Sequence, residues 1–277
     1  MKKVKILSVI NLTTFLICCF WFPANALTSK IQGYAVYRDG NGINFDWHAG
    51  LMSRYDLCYD NSIIHVAKQD GYLIKKCSKE EFVGELEFFG LYRPISYSSL
   101  TEDQKNRMAY NVKYMAERLM AANIEELGYN LIFQAWYSND TIADGKVNVS
   151  ELTSLRCDGL VEYCYEFYGY SVYGDNISTF DSSIRNNHRY PNITPQKQSK
   201  YYLQNCLGDI DCSGSVTVSD AQSVLAFAVQ NDTPEEYEFF LADVNGDNSV
   251  SVADARYVLR YATNLISIFP ADPLNDS

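Results

Sequence analysis

Asp209-Ile-Asp-Cys-Ser-Gly-Ser-Val-Thr-Val-Ser-Asp220 and Asp243-Val-Asn-Gly-Asp-Asn-Ser-Val-Ser-Val-Ala-Asp254 are one pattern written twice, at a period of 34 residues. Both place oxygen-bearing side chains at loop positions 1, 3, 5, 7, 9 and 12. These are Asp209, Asp211, Ser213, Ser215, Thr217 and Asp220, then Asp243, Asn245, Asp247, Ser249, Ser251 and Asp254. A hard cation takes about six to eight oxygens, and this alternation turns successive ligands inward. Two Ca²⁺ ions are therefore expected, with Ser215 and Ser249 contributing through the main-chain carbonyl. Gly214 stands at the turn position of the first loop, and Asn248, which tolerates a left-handed backbone, stands at that of the second. Each loop runs into the same helical pattern, Ala221-Gln-Ser-Val-Leu-Ala-Phe-Ala and Ala255-Arg-Tyr-Val-Leu-Arg-Tyr-Ala. Surface turns rich in Asp and Ser leave the fixed period unexplained.

The loops account for an uneven charge. The 277 residues carry a net charge of −11, yet Leu207 to Ser277 holds 12 carboxylates against only Arg256 and Arg260. That composition argues against nucleic acid as a partner, because phosphate contacts need Lys and Arg. At 47% hydrophobic and 21% charged residues the chain is globular, and its length suits two domains of ~100–200 residues. Histidine is scarce: His48, His65 and His188 are the whole supply.

The first 26 residues have the form of a secretory signal peptide. Lys2, Lys3 and Lys5 precede an apolar stretch from Ile6 to Phe22, and Ala24-Asn25-Ala26 supplies a small-x-small cleavage site. A secreted chain with no membrane association after cleavage is expected. Cys58, Cys77, Cys157, Cys164, Cys206 and Cys212 remain, and their spacing fits no compact disulfide framework, so pairing stays open.

The expected fold class is α+β for residues 27–181, a polar connector over 182–206 containing Pro191 and Pro195, a small all-α unit over 207–268 and a tail over 269–277. Phe45, Trp47, Ala49 and Leu51 alternate with polar or small residues as in a strand, and Ser62–Ala67 is a second β-branched run. Thr101-Glu-Asp-Gln104 has capping-box spacing, and Met108, Val112, Met115 and Leu119 follow at helical intervals.

Leu155-Arg-Cys-Asp-Gly-Leu-Val-Glu-Tyr-Cys-Tyr-Glu-Phe-Tyr-Gly169 places Cys157 at the start of a helix, where the helix dipole favours thiolate and Asp158 opposes it. A thiolate nucleophile needs a base and a group to orient that base. If the strands around His48 and His65 pair as a hairpin, the two rings share a face and can hydrogen-bond. Buried core cysteines and structural histidines are the plain alternative for each residue taken singly. Cys164 is expected in the core and His188 in a solvated loop. Tyr163, Tyr165, Tyr168, Tyr170 and Tyr173 pack or, in a binding module, stack on sugars.

The duplicated loop-helix resembles a type I dockerin, with Asp220 and Asp254 at the twelfth position. That resemblance implies Ca²⁺-dependent docking onto a cohesin module of a scaffoldin in a cellulosome. Its recognition positions fall on Val218, Ser219, Leu225 and Ala226 and on Val252, Ala253, Leu259 and Arg260. Cys157-Asp-Gly-Leu-Val161, His48-Ala-Gly-Leu51 and Ile64-His-Val-Ala67 together resemble the NlpC/P60 group of papain-like peptidases. The histidines precede the cysteine, which is the order of the circularly permuted branch, and Gly90-Leu-Tyr-Arg-Pro94 and Gly128-Tyr-Asn130 are similar to it as well. The implied activity is acyl transfer to water at a peptide, amide or ester bond of cell-wall material. Cys157 would be the nucleophile, His48 the proton shuttle, His65 the orienting group and Tyr129 a substrate or oxyanion contact. A non-catalytic carbohydrate-binding or structural module is the alternative; a glycoside hydrolase, suggested by context, finds no matching pair of carboxylates in the N-terminal region.

Overall fold

A computed structural model describes residues 29–40, 47–69, 72–122, 127–137, 145–179, 181–272 and 274–275. The expected signal peptide and Phe45 lie outside the described residues. The fold is mixed α+β. Its main sheet is antiparallel, built from β1 (Ala35–Arg38), β2 (His48–Met52), β3 (Ile63–Gln69), β4 (Tyr72–Cys77), β5 (Phe88–Pro94) and β9 (Leu203–Asn205) in the order β4-β3-β2-β1-β5-β9. A second sheet has β8 (Leu152–Leu155) between β6 (Gly128–Tyr129) and β7 (Ala135–Tyr137).

The helix expected behind Thr101 is α2, Glu102–Ala121, which follows the short α1, Lys79–Val83. Its start is fixed reciprocally: the Gln104 N–H donates to Thr101 Oγ1, and the Thr101 N–H donates to Gln104 Oε1 at 2.8 Å. Met108, Val112, Met115 and Leu119 are fully buried, each contributing about 1.5–3 kcal/mol. Next comes α3, Cys157–Glu166, buried along its whole length and packed on β2 and on α2.

Register sorts the side chains of the main sheet onto two faces. Tyr37 pairs with Ala49, and the nearness of Asp158, Glu162 and Cys157 to Tyr37 marks this as the α3 face. One step along, Arg38 pairs with His48 on the opposite face. Gly50 pairs with His65, and His65 with Lys75, on that same face. There α1 covers the sheet, with the Phe82 ring 5.3 Å from His48 and 5.5 Å from His65. A Cβ on Gly50 would come within 2.8 Å of Ile63 Cγ2 and 3.2 Å of Phe82, so this position has no room for a larger residue.

The polar stretch 182–206 is not a free connector. It forms α4 (Ser182–Asn187), α5 (Pro195–Lys197) and β9, which closes the main sheet against β5. His188, expected in a solvated loop, is 1% exposed. His188, Thr194, Gln198 and Ser199 are buried here while Ser182, Ser183, Asn186, Asn187 and Asn192 face water, so the polar composition does not separate packed from solvated residues.

Beyond β9 come α6 (Val218–Ala228), α7 (Glu236–Ala242) and α8 (Val252–Ala262), with α6 and α8 packed together through Val224 and Val258. This helical part sits directly on the sheet region. The Phe88 and Phe240 rings meet edge to face at 4.7 Å, the Tyr237 N–H donates to Asp56 at 3.1 Å, and Lys30 pairs with Glu235 at 2.7 Å. Among the described residues, no helix is long and apolar enough to cross a membrane.

Candidate active site and cation loops

The second sheet positions the cysteine. Tyr129 pairs with Leu155 on one side of β8 and Ala135 with Leu155 on the other, so Cys157 emerges beside Tyr129 two residues later. At Gly159 a Cβ would sit 1.9 Å from the Gln134 carbonyl oxygen, so only glycine lets α3 approach β7 this closely. Arg156 and Asp158 form a two-pronged pair, Nε to Oδ1 at 2.6 Å and Nη2 to Oδ2 at 2.7 Å, both closed to water.

The Cys157 thiol is 2% exposed. Burial, then the Asp158 charge, push its pKa up to about 12, against weaker pulls from Arg156 and from the N–H groups of Ala49 and Asp158. The thiolate stabilisation expected at this helix start is therefore reversed: loss of hydration outweighs the helix-terminal partial charge.

His48 and His65 meet as the hairpin spacing requires, with His48 Nε2 2.8 Å from His65 Nδ1. Burial lowers both ring pKa values. For His48 the second cause is His65, followed by Arg38; for His65 it is Lys75, and that ring falls to about 4. Both rings are neutral near pH 7. If His48 donates through Nε2, its Nδ1 lone pair is left to act as a base, and the buried, unpartnered Nε2 of His65 carries the remaining proton.

Cysteine and histidines come to β2 from opposite faces. The thiol lies against the backbone of Ala49, whereas the next residue back, His48, points toward Phe82. The titratable neighbours that act on His48 are His65 and Arg38. Tyr129 bridges the two sides. It lines a cavity of ≈ 20 Å³ over Cys157, shared with Trp47, Tyr190 and Thr194, and also a ≈ 290 Å³ cavity beside His48 and His65. The first holds about one water, so the cysteine side is closed in this conformation.

Behind Cys157 lies a buried polar cluster that motif reading missed. Gln134 and Gln198 donate to Glu162 Oε2 at 2.8 and 2.7 Å, and Tyr37 donates to Gln198 at 2.5 Å. Glu166 accepts from the N–H groups of Val172 and Ile177. His188 directs Nδ1 at the Ile184 carbonyl (2.7 Å) and Nε2 at the Tyr173 carbonyl (2.8 Å), so both nitrogens carry protons. Burial opposes that charge, but Glu162, 3.0 Å away, outweighs it, and the His188 pKa rises to about 9. The imidazolium balances the Glu162 carboxylate, and both His188 nitrogens are engaged with carbonyls. The available signal was Glu162 and Glu166 at i and i+4 on an otherwise apolar helix: buried acids need partners. Tyr163 and Tyr165 are also fully buried, bonded to the Val147 and Gly33 carbonyls, and so do not stack on sugars.

The two acidic loops share one hydrogen-bond plan. Asp209 accepts from the N–H groups of Ser213 and Gly214; Asp243 accepts from those of Asp247 and Asn248. Asp220 accepts from Ile210, Asp211 and Thr217, while Asp254 accepts from Asn245 and Ser251. Thr217 and Ser251 cap α6 and α8. Gly214 has φ 102° and Asn248 φ 62°, the left-handed turn expected of each. Carboxylate oxygens of Asp209, Asp211 and Asp220 lie within 4.8 Å of one another, an all-oxygen set suited to a hard cation. Ser213 Oγ donates to the Ser215 carbonyl at 3.2 Å, which places that carbonyl inside the loop.

The surface positions are open. Val218, Ser219, Leu225, Val252, Leu259 and Arg260 are exposed, and Ala226 and Ala253 are half-buried. No protein-family model, no curated protein and no solved structure matches this chain.

Proposed function

We propose that this is a secreted cysteine hydrolase of cell-wall material, carried on a Ca²⁺-ordered docking module. In finer terms the fold is read as papain-like, of the permuted NlpC/P60 type, followed by a type I dockerin. The observation that carries the enzyme reading is the His48–His65 hydrogen bond, opening on a cavity whose Tyr129 wall is shared with Cys157 at the head of α3.

In this reading the Cys157 sulfur attacks an amide or ester carbonyl, and its proton passes to His48. The new C–S bond replaces the C–N or C–O bond, and His48 returns the proton to the leaving group. Water, deprotonated by His48, then attacks the thioester, the C–S bond breaks, and His48 returns the proton to the Cys157 sulfur as the acid leaves. A thiol near pKa 12 and a neutral imidazole suit proton transfer in step with attack rather than a resting ion pair. The mechanism requires the His48 ring, at the first residue of β2, to reach the face that carries Cys157. Tyr129, which lines both cavities, would be a substrate or oxyanion contact.

For the docking module, Ca²⁺ would be held by Asp209, Asp211, Ser213, Ser215, Thr217 and Asp220, and by Asp243, Asn245, Asp247, Ser249, Ser251 and Asp254. The ion supplies the positive charge that lets each set of carboxylates converge. The exposed faces of α6 and α8 would take the cohesin partner through Val218, Ser219, Leu225, Ala226, Val252, Ala253, Leu259 and Arg260, placing the protein on an extracellular cellulosome.

A second reading, a non-catalytic wall-binding module on the same scaffold, is favoured by one observation: Cys157 and His48 approach β2 from opposite faces. Hydrolysis of muropeptides and plant-wall esters by the full chain separates the two. Loss of activity in Cys157→Ala supports the enzyme, and activity unchanged in that variant eliminates it.

A further inference from the structure

The ≈ 290 Å³ cavity beside the histidine pair is walled by Val66, Ala67, Phe82 and Tyr129, and it carries Arg38 and Glu81. Arg38 stands directly opposite His48 in the β1–β2 ladder, so the two side chains rise from one face about 4.5–5.5 Å apart at Cβ. Its guanidinium is under-used. Nη1 donates to the Val83 carbonyl at 3.3 Å, Nε is buried without a partner, and Arg38 takes part in none of the ion pairs among the described residues. Glu81 is engaged by Lys75, the residue paired with His65 across β3 and β4. With Glu81 turned to Lys75, which stands outside the lining, the Arg38 guanidinium is the cationic group on the wall that has no carboxylate partner among the described residues.

We infer that this cavity is a subsite for a substrate carboxylate, with Arg38 as its recognition residue. The inference rests on the hydrolase reading and narrows its substrate to amides or esters that carry a free carboxylate on a short aliphatic stem. A planar guanidinium matches a planar carboxylate in two parallel hydrogen bonds. One cationic group without a carboxylate partner suits a monoanion. A phosphate dianion would meet Glu81 on the same wall with only one compensating group, and Val66, Ala67 and Phe82 suit the stem.

The test is binding to the full-length chain carrying Cys157→Ala, read from the ring-nitrogen NMR shifts of His48 and His65. N-acetylglycine, its uncharged counterpart N-acetylglycinamide and methylphosphonate are the probes. N-acetylglycine is expected to move both rings saturably, with affinity at least about tenfold above the other two. Arg38→Gln should abolish that preference in a protein that keeps its native circular dichroism, and Arg38→Lys should weaken it. Equal binding of acid and amide to the protein with Arg38 intact overturns the subsite, whatever the variants do. Preference retained in a folded Arg38→Gln protein overturns the role of Arg38. Because the readout needs no turnover, carboxylate binding without hydrolysis would leave the subsite standing and fault the hydrolase. Hydrolysis without acid preference would do the reverse.

Discussion

Arg93 Nη1 lies 2.5 Å from Asp209 Oδ2, and neither side chain is more than 1% exposed. The contact ties β5 of the main sheet to the first residue of the first acidic loop. Neighbouring contacts reinforce it: Tyr97 donates to the Cys212 carbonyl at 3.3 Å, and the Arg93 guanidinium sits 4.9 Å from the Tyr97 ring centroid. The loop and the sheet are one piece of structure, so a disturbance of either should be felt in the other.

Arg93→Ala leaves Asp209 buried with its counter-charge removed. In chelator the variant is expected to lose about 3–5 kcal/mol of stability, the usual cost of breaking one side of a buried pair. Urea denaturation measures this. Excess Ca²⁺ should recover part of the loss by supplying Asp209 with another cation; an unchanged midpoint would show the pair to be idle.

The same contact makes the two loops unequal. Asp209 shares an oxygen with Arg93, whereas Asp243 has only backbone N–H partners in its loop. Calcium titration followed by calorimetry should resolve two steps, with the tighter one lost in Asp243→Ala. Saturating Ca²⁺ at about 100 times Kd adds about 2.7 kcal/mol of stability per site. Unfolding that is indifferent to chelator contradicts both cation sites.

The His188 cluster sets a pH dependence. Folding raises the His188 pKa from 6.5 to about 9, so its stabilisation is complete below pH ~6.5 and disappears as pH rises through 9. Burial, with Glu162 adding to it, lifts Glu166 from 4.5 to about 8, so the folded protein keeps a proton that the unfolded chain releases, and stability falls between those two pH values. The denaturation midpoint should therefore fall from pH 6 to pH 9. His188→Gln should cost about 3–5 kcal/mol at pH 6 and clearly less at pH 9. A flat profile in the native protein would contradict the imidazolium.

Thiol reactivity follows exposure here. Cys58 is exposed, with its pKa raised by burial of the sulfur and by Asp56 to about 11, while Cys157 is buried near 12. Iodoacetamide at pH 7 is expected to label Cys58 first and Cys157 slowly, as read by peptide mapping. Fast, selective labelling of Cys157 would mean that a different arrangement, with an ionised thiol, dominates in solution.

What could be read from the residues was local. The acidic loops repeat at a fixed period, Asn248 announces its own turn, and the capping box marks the start of α2. The His48–His65 pair follows from two strands and a connecting turn. What could not be read was long-range. Leu203–Asn205 closes the sheet, and His188 and Gln198 serve Glu162 from 26 and 36 residues away, inside a stretch whose composition imitates a linker. Cys157 was placed at a helix start by its motif, yet its protonation is decided by burial beneath Trp47, Tyr190 and Thr194. Two of those three lie in that same stretch.

The most direct measurement is covalent. Incubation of the full chain with an activated ester, quenching in acid and peptide mapping should find the acyl group on Cys157 as a thioester. It should be absent in Cys157→Ala and reduced about 10²–10⁴-fold in rate in His48→Ala. Acylation confined to Cys58, or undiminished in His48→Ala, would contradict the cysteine hydrolase.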